Sequence, residues 1–587
     1  MGTPRRITAL LGLLTLAASL LVTGNAAAQE KPPSCRQDTG TRVMAATAHP
    51  AASLAACRIL LAGGSAIDAA VAAQAVLTVV EPQSSGLGGG SLLTYYDARS
   101  KKVRFFDGVA AAGHTTTAGL TVPTEREQAA GVPSFGTADV GYSARGVAVP
   151  GTLAVLGLVH RHYGRLGWDR LFGDSISLAR QGFPVAPYLA SMLRTPMTVT
   201  PICRFPGLRA LFCDGDAPKP EGAIVRNPEL AAVLTEVRDG GARAFYDPHG
   251  DIAPAIVRAL RAGTFDPTAD ANGPAVIPSL LTERDFADYR AVERQPVCGP
   301  VLRHRLCTAA PPATGGVTLT NLLRMAEAKG ITGLRPGTAP YAHLAIEASR
   351  IAGTDSHAHV GDPGYDPVPA GLTDPAFARE RAGLIRPDRA VHPIEPGTPG
   401  GKAENTSQIS VVDRWGNALS MTTTINLNFG SRVVARGIVL NNGSTNFSAA
   451  GAKVNAMEPG KRPRTSIAPS LVFDRRGALR LVTGAAGGGP IPDYVAQTVL
   501  GVLVHGEDPA TAVGRPHVSG QAETGDCVHS DLEAGTPIAE LLPALKERGH
   551  PCARATTLRS GLAAVAVTGS GLRGAADPRR DGVALGG

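Results

Sequence analysis

The chain contains no CxxC pair, no glycine run ending in GKS or GKT, and no GxSxG elbow. The first absence removes the close ligand pairs of a zinc site. The second removes a Walker-type phosphate loop, and the third the strained serine turn of α/β-hydrolases. Charge is scarce too: 18% of the 587 residues are charged and 43% are hydrophobic, which is the composition of a globular protein. The formal charge of +8 is spread among acids, and its densest cluster is only "GKRPRT" at 460–465. That is no footprint of a nucleic-acid-binding face. Beyond the N-terminus no stretch reaches the roughly 20 apolar residues of a spanning helix, and no internal repeat is evident.

The N-terminus is an address. Arg5 and Arg6 precede "ALLGLLTLAASLLV", and "GNAAAQE" then supplies small residues for a peptidase. A signal peptide over residues 1–28, cleaved after Ala28, is expected, leaving a protein outside the cytoplasm, secreted or periplasmic, with no membrane span. Eight cysteines agree with an oxidising compartment. Among the 105 pairings that eight cysteines allow, the sequence-local couples are expected: Cys35 with Cys57, Cys203 with Cys213, Cys298 with Cys307, and Cys527 with Cys552.

Residues 46–80 are alanine-rich with helical spacing, broken at "AGGSAID", where Ser65 and Asp68 are placed for a capping box. Next, "EPQSSGLGGGSLLTYYDARSKKVRFFDG" is a glycine-rich turn and two strands, at 92–96 and 103–106. Gly88-Gly89-Gly90 thus leads into a strand, the wrong context for a phosphate loop. Residues 148–350 carry mostly helical patterning with two short cysteine loops. Between about 385 and 405 periodicity gives way to Pro, Gly and charge, a surface segment that need not stay intact. Two hairpins follow, "ISVVD-RWGN-ALSMTTT" and "PSLVFD-RRG-ALRLVTG", then helical pattern at 492–504 and 536–548. Helices, strands and helices in that order make an α+β arrangement of sheets covered by helices on both outer faces.

If the first hairpin turns about Trp415-Gly416, Asp413 faces Ala418 and Thr406 faces Ile425, with Thr424 its diagonal neighbour. If Asp474 faces Ala478 in the second, Thr465 lies opposite Gly487. A hydroxyl nucleophile needs a base, and no histidine is near Thr406 in sequence. An N-terminal threonine carries its own base in its α-amine. That amine requires cleavage between Asn405 and Thr406, at the end of the loose segment. Otherwise "TTT" is β-branched strand filler.

"GGSAIDAAVAAQAVLTVVEPQSSGLGGG", "VAVPGTLAVLG", "NTSQISVVDRWGNALSMTTTIN", "KRPRTSIAPSLVF", "VTGAAGGG" and "LRGAADPRRDGVALGG" occur in this order from about residue 43 to the C-terminus. Together they resemble the gamma-glutamyltranspeptidase family, which comprises glutathione hydrolase proenzymes and related cephalosporin acylases. The resemblance implies a four-layer αββα sandwich of the N-terminal-nucleophile hydrolase type. It also implies a precursor that cuts itself into a large subunit (29–405) and a small one (406–587) sharing one core as a heterodimer. In that pattern Thr406 matches the nucleophile and Thr424 the threonine supporting its hydroxyl. Gly487 and Gly488 match the oxyanion hole, Asn426 matches a substrate-contacting asparagine, and Thr465-Ser466 stands where Ser-Ser is usual.

The departures concern the substrate. Val109, in "DGVAAAG", stands where the family has an arginine that grips the glutamyl α-carboxylate. In "NNGSTNF", Gly443 replaces a glutamine, and Asn446 replaces the aspartate that receives the α-amino group. Charge-assisted bonds worth roughly 1.5–3 kcal/mol each are missing at both ends of a glutamyl head. The expected enzyme is an acyltransferase and amide hydrolase for a small gamma-glutamyl or other acyl amide. Its acceptor is an amino acid, a peptide or water, and it uses no cofactor or metal. Two alternatives stand beside it: a glutathione hydrolase whose missing charges come from other residues, and an inactive peptide-binding homologue.

Overall fold

The computed structural model describes residues 2, 34–129, 140–195, 201–262, 277–394, 405–520 and 529–587. The expected signal peptide and Cys527, with its expected link to Cys552, lie outside them.

Antiparallel pairing builds two large sheets. The first has eight strands in the order Arg36–Gln37, Val583–Gly586, Met44–Thr47, Asn405–Val412, Ala418–Asn426, Gly90–Asp97, Lys102–Gly108 and Val292–Arg294. The second has seven: Val297–Val301, His304–Thr308, Ser470–Phe473, Leu479–Gly484, Ala563–Thr568, Gly571–Ala576 and Thr39–Gly40. Both sheets combine strands from before and after residue 405, so the two stretches share one core.

Each sheet carries helices on its outer face. Pro50–Leu61, Ala66–Val80 and Thr152–Tyr163 bury their apolar residues with Ile409, Val411, Leu419, Met421 and Ile425 of the first sheet. Thr314–Ala328, Ala339–His359 and Ile491–Leu503 do the same with Val472, Leu481 and Ala564 of the second. Between the sheets lies a third apolar cluster, including Met44, Val412, Phe473 and Val565. The result is the four-layer αββα sandwich. No helix among the described residues is long and apolar enough to cross a membrane.

The capping box forms as expected, Ser65 N donating to Asp68 Oδ2 at 2.8 Å and Asp68 N to Ser65 Oγ at 3.2 Å. Met44–Thr47, by contrast, is a strand rather than the start of the first helix. It is paired on both edges, with Val583–Gly586 and with residues 409–412, and this tertiary pairing overrides alanine's helical preference. Disulfides join Cys35 to Cys57, Cys203 to Cys213 and Cys298 to Cys307. The last of these is not in a loop: Cys298 and Cys307 face each other across two strands of the second sheet. The glycine run allows close backbone approach. A Cβ on Gly88 would lie 2.3 Å from Val439 O, and one on Gly89 2.2 Å from Thr424 O.

Both hairpin registers differ from expectation. The first loop has three residues, 414–416, with Gly416 at φ +80°, so Asp413 pairs with Asn417 and Val412 with Ala418. The Asp413 carboxylate closes this loop by accepting from Trp415 N at 2.9 Å, Asn417 N at 3.0 Å and Asn417 Nδ2 at 2.9 Å. It also accepts from Ala66 N, at the start of the buried helix, at 3.0 Å. In the second hairpin Asp474 does face Ala478, but a bulge beside Phe473 shifts the ladder and its strand begins only at Ser470, after Pro469. Thr465 therefore bridges Ala313 rather than Gly487.

Replacing Asp413 by Ala strands two buried main-chain donors, Ala66 N and Asn417 N, and is expected to cost about 3 kcal/mol. Urea unfolding of Asp413→Ala measures it; a loss below about 1 kcal/mol would contradict the closing role.

Candidate active site

The corrected register decides which side chains meet. Residues opposite one another in an antiparallel pair share a face, so the one-residue difference moves Thr424 to the face of Thr406, between the sheets. The ladder shifts again between Asn405, which pairs with Asn426, and Ser407, which pairs with Thr423. The extra residue of this bulge is on the partner strand, where Thr424 and Ile425 together oppose Thr406. Thr406 Oγ1 donates to Thr424 Oγ1 at 3.5 Å, and Thr406 is fully buried.

The three consecutive threonines have separate partners. Thr422 Oγ1 donates to Gln408 Oε1 at 2.7 Å, Thr423 Oγ1 accepts from Ser91 Oγ at 2.9 Å, and Thr424 Oγ1 accepts from Thr406 and, at 2.7 Å, from Asn426 N. Residues 422 and 424 face the second sheet, while 423 faces the helices. The run is therefore more than β-branched filler.

Asn426 ends the strand in a left-handed conformation, φ +78°. Its Nδ2 donates to Asn442 O at 3.1 Å and Thr445 Oγ1 at 2.9 Å, holding the loop 441–446 against the strand. Its buried Oδ1 has no partner among the described residues, which leaves an acceptor for a ligand N–H. Gly443 and Asn446 lie on the same loop, Asn446 O accepting from Asn455 Nδ2 at 2.9 Å. A Cβ on Gly443 would be 3.6 Å from the Cβ of Ala110 and 3.7 Å from that of Ala148. Val109 precedes this contact and is buried, its O accepting from Tyr289 Oη at 2.7 Å.

Gly487 and Gly488 open the loop after the strand Leu479–Gly484, with φ +129° and +75°. No main-chain hydrogen bond from either amide N–H occurs among the described residues. Ser466 Oγ donates to Gly488 O at 2.8 Å, whereas Thr465 is held by its main chain against Thr314. Thr406, Thr424 and Asn426 thus form one cluster, Ser466 and Gly488 a second, and Gly443 with the residue after Val109 a third.

Over residues 52–587 the chain matches the family model described as gamma-glutamyltranspeptidase. The chain belongs to the gamma-glutamyltranspeptidase family. It is 31% identical to a glutathione hydrolase proenzyme of Pseudomonas aeruginosa over 90% of this chain and 92% of that one. With the acylase ACY 1 proenzyme of Pseudomonas sp. strain SE83 it shares 32% identity over 94% of each chain. The crystal structure of a cephalosporin acylase from Bacillus halodurans superposes with a TM-score of 0.78 at 26% identity, over 96% of this chain and 99% of that one. The chain is accordingly an enzyme of the N-terminal-nucleophile hydrolase type. Both glutathione hydrolases and acylases of the gamma-glutamyltranspeptidase family span nearly its whole length.

Two charged residues that the sequence reading passed over touch this region. Glu81 follows the buried helix and accepts from Ser407 Oγ at 2.7 Å and Gln83 Nε2 at 3.3 Å. Burial pushes its carboxyl up to about 7, against the nearby positive charge of Arg580. Arg580 donates to the carbonyl of Thr406. Both stand in quoted motifs, "EPQSS" and "DPRRDG", where adjacency to Pro gave no hint of a role.

The folded chain keeps the Glu81 proton up to about pH 7, while an unfolded glutamate releases it near roughly pH 4.3. The folded state thus binds the extra proton, and its stability falls as pH rises between those values. Glu81→Gln is expected to flatten this fall between pH 5 and pH 7.5 in urea unfolding. An unchanged slope would assign the dependence to other groups.

Proposed function

We propose that the chain is an exported, self-processing amidohydrolase and acyltransferase that works through an acyl-enzyme on Thr406 and prefers acyl groups without the glutamyl zwitterion. Export is supported by the signal-like N-terminus and the disulfides. In processing, Thr406 Oγ1 attacks the carbonyl of Asn405 and the acyl group moves from nitrogen to oxygen. Water then opens the ester, leaving a carboxylate on Asn405 and a free α-amine on Thr406. The large subunit ends at Asn405 and the small subunit starts at Thr406, the two remaining together through their interleaved strands.

In turnover that amine, with an ordinary pKa near roughly 8, takes the hydroxyl proton as Oγ1 attacks the substrate amide. Thr424 orients the hydroxyl, and the N–H groups of Gly487 and Gly488 receive the oxyanion. The proton passes to the leaving amine, and water, an amino acid or a peptide then takes the acyl group from Thr406. To Asn426, with its unpartnered Oδ1, to Ser466, against Gly488, and to Thr465 we assign the holding of the substrate.

The observation that carries the acyl preference is the meeting of Val109's segment with Gly443, through Ala110 and Ala148. On this reading the departures at Val109, Gly443 and Asn446 leave the pocket without charged partners, Gly443 being flanked by Asn441 Oδ1, Ala110 and Ala148. A site without charged partners leaves nothing unpaired when the α-amino and α-carboxylate groups are missing. The acylase relative and the cephalosporin acylase structure support the same direction.

Thr406→Ala should remain one folded chain without amidase activity; a product still beginning at residue 406 rules out self-cleavage by this hydroxyl. For the acyl group, kcat/KM on a gamma-glutamyl anilide and its glutaryl counterpart should be comparable in the wild type. Val109→Arg with Asn446→Asp should shift the ratio toward the gamma-glutamyl compound. A wild-type preference above about a hundredfold for gamma-glutamyl, about 2.7 kcal/mol, would instead support an ordinary glutathione hydrolase.

A further inference from the structure

We infer that Arg580 is a positioning residue that sets the reach between Thr406 and the oxyanion loop at Gly487-Gly488. The inference rests on the proposed role of Thr406 as nucleophile. It starts from the bulge between Asn405 and Ser407, which takes Thr406 out of the ladder. Its carbonyl accepts instead from Arg580 Nη1 at 2.5 Å. After cleavage this carbonyl is the main-chain anchor nearest the new chain end.

The same guanidinium holds the other side. Its Nε donates to Ser560 O at 3.0 Å and its Nη2 to Arg559 O at 3.4 Å, and it lies 4.5 Å over the Tyr188 ring. Segment 559–561 props the oxyanion loop. Ala486 N donates to Gly561 O at 3.0 Å and Gly561 N to Ala486 O at 3.1 Å. A Cβ on Gly487 would lie 3.1 Å from Arg559 O and 3.3 Å from Ser560 Cα. Ser560 is itself fixed, donating to Asp577 Oδ2 at 2.5 Å with His517 Nε2 at 2.8 Å.

One rigid, planar, buried group therefore ties the main chain of the nucleophile to the main chain that supports the oxyanion donors. Arginine suits this role because its donors form a fixed fork, which the single ammonium of lysine cannot reproduce. Misplacing a reacting group by even about 1 Å can cost on the order of a hundredfold in rate.

The test uses full-length Arg580→Ala and Arg580→Lys, assayed for cleavage at 405/406 and for kcat and KM on the better anilide, with and without millimolar methylguanidinium. Arg580→Ala should lose about a hundredfold in kcat with KM changed by less than about threefold, and methylguanidinium should restore about tenfold. Uncut Arg580→Ala that is cut on adding methylguanidinium would show the same positioning in the first reaction. Arg580→Lys keeps the buried charge; it should fold with an unchanged Tm and lose about tenfold in kcat, and it decides the matter if Arg580→Ala is insoluble. Wild-type kcat in either variant, or a loss that methylguanidinium does not move, overturns the inference. Thr406→Ala run alongside separates the two ideas: if it still turns over substrate, the nucleophile assignment fails, whatever Arg580 does.

Discussion

The Asp413 carboxylate accepts four hydrogen bonds, three from its own hairpin loop and one from the first turn of the buried helix Ala66–Val80. This closure makes the loop three residues long, and loop length sets the register of the central hairpin. In that register Gln408, Ser420, Thr422 and Thr424 share the inter-sheet face with Thr406. Ile409, Val411, Leu419 and Met421 point to the helices. A slip of one residue would send Thr424 into the helix layer and apolar side chains into the polar seam.

That seam is unusual for a sandwich interior. At one end the sheets meet through an apolar cluster around Val412 and Phe473. Toward the site they meet through hydroxyls and an amide. Gln408 Nε2 donates within the first sheet to Ser420 Oγ at 2.9 Å, while Ser420 Oγ donates across to Thr483 O at 2.8 Å and Ser410 Oγ to Ala563 O at 2.9 Å. Such bonds contribute little net stability each, but each fails at high cost if its partner moves. They lock one sheet against the other beside Thr406, and the apolar end supplies the hydrophobic contribution.

On the proposed reading, chemistry and selectivity fall to different parts of this frame. The hydroxyl pair sits on neighbouring strands of the first sheet, Thr424 pairing with Gly90 on its other side. The wall formed by Ala110, Ala148 and Gly443 sits on loops that can change residue without moving a strand. The relatives of similar length include both glutathione hydrolase and acylase proenzymes.

Much of this was legible in the sequence because it depends on local pattern. Ser65 and Asp68 announced the helix start, alternation announced both hairpins, and the order of long motifs announced the family, the layered fold and the grouping of Thr406, Thr424 and Asn426. Three of the cysteine couples followed from spacing alone. Tertiary structure decided what local pattern leaves open. Alanine-rich residues 44–47 became a strand because two neighbours paired with them. The register turned on a carboxylate's reach to a helix 347 residues away in sequence, and Thr465 was claimed by Ala313 instead of Gly487. Arg580 meets Thr406 across 174 residues. Periodicity reports which face a residue occupies, whereas partners so distant in the chain are chosen only when the sheets close on each other.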